Sequence, residues 1–133
     1  MKWESKGKKK KYGLKRLRKS FVYASRGIIS AYKTEQNLLI HTIALVINII
    51  LMILLKLSVI ECCIIIIAII MVFALEMVNT AIEYTVDMAM PQIHPLAKIS
   101  KDVASGAVLV TAIGATIIGL IIYIPKIFFY FGM

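Results

Sequence analysis

Ala74–Asp87 reads ALEMVNTAIEYTVD, and the run CCIIIIAIIMVFAL at Cys62–Leu75 leads into it without a charge. A segment this apolar belongs in a bilayer, yet it ends on Glu76, Asn79, Glu83 and Asp87. On a helix turning about 100° per residue, these four side chains fall at about 0°, −60°, −20° and +20°, inside an arc of about 80°. The spacing predicts a polar stripe about three turns long on one helix face, with Glu76 inside the hydrocarbon boundary and Glu83 and Asp87 emerging from it.

The rest of the chain agrees with a membrane reading. Of 133 residues, 60% are hydrophobic, and the mean hydropathy is +0.86; a soluble domain of this size would expose more apolar surface than water tolerates. Runs at Gln36–Leu55, Leu57–Leu75 (interrupted by Glu61) and Val103–Pro125 each supply the roughly 20 residues needed to cross a hydrocarbon core about 30 Å thick. Before them, Leu14, Leu17, Phe21, Val22, Ala24, Ile28, Ile29 and Tyr32 recur at spacings of three and four, with Arg16, Arg18, Lys19 and Arg26 between them. That is the pattern of an amphipathic helix lying in the interface, basic face toward phosphates. The expected fold is an all-α integral membrane protein, with a polybasic segment at 1–13 and a single domain at 14–133. Within that domain a surface helix is expected at 14–34 and spans at about 36–56, 59–86 and 102–125. Thr111, Ala115 and Gly119 recur every fourth residue of the last span, a spacing that lets helices approach closely. Three spans enclose little volume, so a homo-oligomer is expected.

The net charge of +9 is concentrated: twelve of the sixteen Lys and Arg residues precede Glu35. Nucleic acid is excluded as the partner, because no folded reading element accompanies the basic run; anionic lipid headgroups attract such a segment by about 1 kcal/mol per cation. It is not a signal peptide, since Arg26 and Lys33 recur where an apolar core and a cleavage site would stand, and retention is expected. The positive-inside rule puts the N-terminus and the Met88–Lys101 loop in the cytoplasm and the C-terminal KIFFYFGM outside, with Trp3 and most tyrosines near the interfaces. Cys62 and Cys63 lack ligand spacing and read as small packing residues.

The stripe needs a chemical reason. Asn79 alone would suit interhelical hydrogen bonding, but three acids on one face repel one another unless cations or protons intervene. Carboxylates there can hold Mg²⁺, which takes one or two of them and completes its shell with water and nucleotide phosphates, while a further carboxylate removes a proton from a lipid hydroxyl. The alternative is a non-enzymatic pore or a cation or proton transporter. Lys101 can contact phosphate, and Asp102 can cap or charge-stabilise the start of the third span. Glu35, at the corner between surface helix and first span, reads as a solvated helix end or a charge facing the helix dipole. Neither His41 nor His94 has a ligand-spaced partner, and both read as structural. No G-x-x-x-x-G-K-[ST] motif or kinase Gly-rich loop is present.

EMVNTAIEYTVD (Glu76–Asp87), together with AKISKDVASGAVLV (Ala97–Val110), resembles the signature of the small prokaryotic diacylglycerol kinases, including the undecaprenol kinases of Gram-positive bacteria. The resemblance runs from the Arg16 region through the third span, and His41 and the IHPLAK loop are nearest the undecaprenol branch. It departs at Leu39, where the family leads one to expect an arginine. It implies a homotrimeric, three-span lipid kinase of the bacterial cytoplasmic membrane, with active sites between subunits, that uses ATP and Mg²⁺ to phosphorylate undecaprenol or diacylglycerol. By the same resemblance, Glu76 would be the catalytic base, and Glu35 and Glu83 would hold the metal bound to ATP. Arg16, Tyr23, Lys101 and Asp102 would bind nucleotide, Asn79 and Asp87 would position the reacting groups, and Ser105 would line the lipid approach. A transport path should be polar on both sides of the midplane, whereas the third span has only Thr111 and Thr116 there.

Overall fold

A computed structural model describes residues 13–92 and 94–132; most of the polybasic segment, with Trp3, lies outside the described residues. The chain forms four helices: α1 (Leu14–Thr34), α2 (Gln36–Leu54), α3 (Val59–Ala89) and α4 (Pro95–Tyr130). The last three are long and apolar enough to cross a membrane. Most of their large apolar side chains stay exposed, as expected where lipid rather than water is the solvent. The buried apolar residues are few: Ala31, Leu38, Met52, Ile65, Val72 and Ala104.

Helix length decides which end of the bundle carries polar groups. At about 1.5 Å per residue, α2 is about 28 Å long and matches the hydrocarbon core, whereas α3 and α4, at about 46 and 54 Å, exceed it. A tight turn over 55–58 joins α2 to α3, and an ion pair between Lys126 Nζ and Glu61 Oε2 at 3.1 Å draws the far part of α4 to the same level. The excess length therefore projects at the opposite end, with the last turns of α3 and the first turns of α4. Glu76 lies about 25 Å along α3, still inside the core, and Asp87 about 42 Å along, beyond it.

Glu61, which interrupts the apolar run in the sequence, is explained by this turn. It forms a capping box: Ser58 Oγ accepts from the Glu61 N–H at 3.4 Å, and Glu61 Oε2 accepts from the Ser58 N–H at 2.7 Å, so the two residues satisfy each other's free backbone donors.

The start of α4 corrects one expectation. The helix expected to open near Lys101 and Asp102 begins at Pro95, and His94 is its N-cap, with Nδ1 accepting from the Leu96 N–H at 3.2 Å. Proline at the first helical position brings a preset φ and no donor to satisfy. Asp102 is therefore not a cap; it sits inside the helix, where it pairs with Lys98 Nζ at 3.0 Å, one turn back. At the other end the helix continues through Pro125 to Tyr130.

Packing makes α3 the hub. α4 lies along it as an antiparallel partner, while α1 and α2 touch it more lightly and α2 stands apart from α4. A groove of about 360 Å³ runs between α2 and α4 over α3, and Ala44, Ala68, Ala115 and Gly119 are among its walls. The small residues of the α4 stripe thus face open space within this chain. One side chain bridges the gap: Tyr123 OH reaches Asn48 Oδ1 at 2.9 Å and the Asn48 carbonyl at 3.4 Å. At the other corner, the hydroxyls of Tyr32 and Thr42 meet at 2.6 Å and fix α1 against α2.

Replacing Ser58 with Ala removes the cap of α3 and is expected to lower stability by about 1 kcal/mol. Thermal unfolding in detergent micelles checks this, and the lipid-facing Ile60→Val serves as a near-neutral control.

Candidate active site

The polar stripe of α3 is gathered where the helices leave the hydrocarbon core. Glu76 is 3% exposed, and Asn79 and Thr80 are also buried. A polar group taken this far from solvent needs partners, and each has one. Among the described residues, no buried side-chain polar atom is left unpaired.

Glu76 Oε1 lies 3.1 Å from His41 Nε2 on α2. The imidazole is held in turn by Phe73, one turn before Glu76, whose ring meets it edge-on with centroids 6.1 Å apart. Thr80 donates its hydroxyl to the Glu76 backbone carbonyl at 3.0 Å. One turn later, Asn79 Nδ2 donates to Glu83 Oε1 at 2.9 Å, and Asn79 Oδ1 accepts from Ser105 Oγ on α4 at 3.4 Å. That relay pins the Glu83 carboxylate from one side. Beyond it, Lys101 of α4 forms an ion pair with Asp87.

Glu35 is the one described residue between α1 and α2, with extended backbone (φ −108°, ψ 109°). Its pKa is raised above 4.5, first by burial and then by the negative charges of Glu83 and Glu76. The corner carboxylate therefore lies within electrostatic reach of the stripe. No group of three or more His, Cys, Asp or Glu side chains among the described residues forms a ready-made metal cage.

The structure thus brings Glu35, Glu76, Asn79, Glu83 and Ser105 together, with the Asp87–Lys101 pair one turn further out. Asp102 and Lys98 are exposed beside them. Arg16 and Tyr23 are exposed on α1, about 28 and 18 Å along the helix from Glu35. Tyr23 lies in a shallow recess with Lys15, Lys19 and Arg26.

Two residues escaped the sequence reading. His41, read as structural, is the side chain that stands against the most buried acid, Glu76. Counted from the 55–58 turn, His41 lies about 21 Å up α2 and Glu76 about 27 Å up α3, so a polar residue on each of two adjacent spans at similar depth was the available signal. Thr80 carried no signal beyond its place beside the stripe. His94, by contrast, is structural as expected, as the cap of α4.

Comparisons with known proteins place the chain among relatives of known kind. A family model described as prokaryotic diacylglycerol kinase matches residues 22–123. The undecaprenol kinase of Bacillus subtilis is 48% identical over 114 residues, covering 86% of this chain and 93% of that protein. A diacylglycerol kinase of Synechocystis sp. is 41% identical over 109 residues, covering 81% of this chain and 62% of that longer protein. The pore or transporter alternative finds no support in them.

The raised pKa of Glu35 has a consequence for stability. The folded chain keeps a proton that the unfolded chain releases near 4.5, so folding is disfavoured progressively as the pH rises through that window. With divalent cations chelated, Glu35→Gln is expected to unfold at a higher temperature than the parent at pH 7 and at the same temperature near pH 4. Melting curves at the two pH values check it, and equal melting at both would contradict it.

Proposed function

Because the chain belongs to the prokaryotic diacylglycerol kinase family, we propose that it transfers the γ-phosphoryl group of ATP to the hydroxyl of a membrane lipid, undecaprenol first and diacylglycerol second. The observation that carries this reading is the buried Glu76 carboxylate at membrane depth, continuous with a second carboxylate, Glu83, at the water side. A lipid alcohol and a cytosolic nucleotide can meet only at such a boundary.

In this reading Glu76 is the general base. It takes the proton of the lipid hydroxyl as the new O–P bond forms and the bond from the γ-phosphorus to the departing ADP breaks, and it later returns the proton to water. Phosphoryl transfer asks the protein mostly for positioning and electrostatic stabilisation, which suits a short chain with few reactive side chains. Glu35 and Glu83 would hold Mg²⁺, and the fit is chemical: two hard oxygen donors whose mutual repulsion a divalent cation relieves. The ion supplies charge neutralisation at the phosphates.

Lys101 and Asp102 at the start of α4, with Arg16 and Tyr23 on α1, bind the nucleotide. Asn79 and Asp87 position the reacting groups, and Ser105 lines the lipid approach, its hydroxyl also holding Asn79. Glu83 is only partly covered and Asp87 is exposed, so one side of the pocket stays open within a single chain; a homotrimer with sites between subunits closes it. α1 lies in the interface with its cations toward anionic headgroups. The N-terminus is cytoplasmic and the C-terminus outside, in the bacterial cytoplasmic membrane.

Glu76→Gln is expected to lower turnover by about 10²–10⁴-fold, the usual worth of a positioned base, with ATP binding intact. Glu83→Gln is expected to raise the Mg²⁺ concentration needed for half-maximal rate. Ordinary kinetics in either variant would remove that residue from its role. Offering undecaprenol and diacylglycerol together in mixed micelles with labelled ATP is expected to give mainly labelled undecaprenyl phosphate. Mainly phosphatidic acid would reverse the lipid assignment, and two unlabelled lipids would refute the kinase reading.

A further inference from the structure

His41 has no part in the reaction as described, yet it touches the residue on which the reaction rests. Its Nε2 is 3.1 Å from Glu76 Oε1, and the two side chains are 24% and 4% exposed. The other polar groups nearby are committed elsewhere: Asn79 directs its amide to Glu83, and Thr80 directs its hydroxyl to a backbone carbonyl. Among the described residues, His41 is thus the donor available to the Glu76 carboxylate.

A carboxylate used as a base must present one oxygen to the proton it removes, within hydrogen-bond reach and in a fixed direction. Left without a partner, the side chain can turn about its terminal torsion, which is broad for Glu. A single N–H on one oxygen removes that freedom and turns the other outward. The imidazole can do this because it is fixed itself, by the edge contact with Phe73 and by its place on α2 just after buried Leu38.

The same ring also lines the groove between α2 and α4, near Ala44, Val72 and Ala112. The imidazole therefore stands between this mostly apolar groove and the Glu76 carboxylate that it touches.

We propose that His41 is a positioning residue for phosphoryl transfer: its Nε2–H holds Glu76 Oε1 and leaves the second carboxylate oxygen facing the acceptor hydroxyl. This rests on the assignment of Glu76 as the base.

The test compares His41→Phe, which keeps a flat ring against Phe73 but has no donor, with His41→Gln, whose amide can donate. Steady-state kinetics are measured in mixed micelles with the lipid alcohol and MgATP, alongside Glu76→Gln. His41→Phe is expected to lower kcat about tenfold or more, the scale for one hydrogen bond to a charged group, with KM for MgATP within about twofold of the parent. His41→Gln should recover at least half of that loss on a logarithmic scale. A smaller drop in His41→Phe, or no recovery in His41→Gln, overturns the proposal, the second because it marks a packing role.

Should His41→Phe fail to fold, ring-nitrogen NMR of the histidine-labelled parent decides instead. A protonated His41 Nε2 whose resonance moves in Glu76→Gln supports the proposal, and an unprotonated Nε2 overturns it. An inactive Glu76→Gln beside a normal His41→Phe sinks this inference alone, whereas an active Glu76→Gln sinks the base assignment beneath it.

Discussion

An acid at membrane depth cannot stand alone, and most of this structure follows from that requirement. Placing a charged side chain in the hydrocarbon region costs a few kcal/mol on insertion scales, so Glu76 persists only because other elements surround it with polar groups. α2 supplies His41, and α3 supplies Thr80 to its own backbone carbonyl. The helix that carries Glu76 is also the one that every other element touches. The hub of the fold and the polar centre of the site are the same helix.

Length mismatch then determines where the polar groups can gather. The turn over 55–58 and the Lys126–Glu61 ion pair fix one end of the bundle at a common level. Because α3 and α4 are longer than the core is thick, their surplus appears at the other end, and Glu83, Asp87, Lys98, Lys101 and Asp102 occupy it. The capping box at Ser58 and Glu61 uses charge to start a helix; the stripe at the far end pairs across helices, Glu76 with His41 and Asp87 with Lys101. Two sets of acids on one helix therefore have different causes.

How much of this was legible in the sequence depends on the range of the interaction. The spans, the stripe and its phase on α3 are local and periodic, so hydropathy and a rotation of about 100° per residue recover them. The start of α4 was hidden because residues 95–101 are too polar to count as span. The H-P pair at His94 and Pro95 was the better marker, as proline is favoured at the first position of a helix. His41 was left outside the stripe for a different reason: its partner is 35 residues away on another helix, and no pattern within α2 could reveal it. Glu35 was ambiguous in the same way, since only the charges of Glu83 and Glu76, from another helix, tie it to the stripe.

These long-range pairings divide the site between two bodies. Glu35 and His41 lie on either side of the corner where α1 meets α2, a corner fixed by the Tyr32–Thr42 bond and by buried Ala31 and Leu38. Glu76 and Glu83 lie on α3, which is braced along its length by α4. A shift of α2 relative to α3 would therefore move the proposed metal ligand and the proposed positioning residue together, opening or closing both ends of the stripe at once. α2 itself meets α3 through the His41–Glu76 contact and reaches α4 through Tyr123 and Asn48. The spacing between the proposed metal ligand on the corner and the acids of the stripe is therefore set by how α1 and α2 pack against α3.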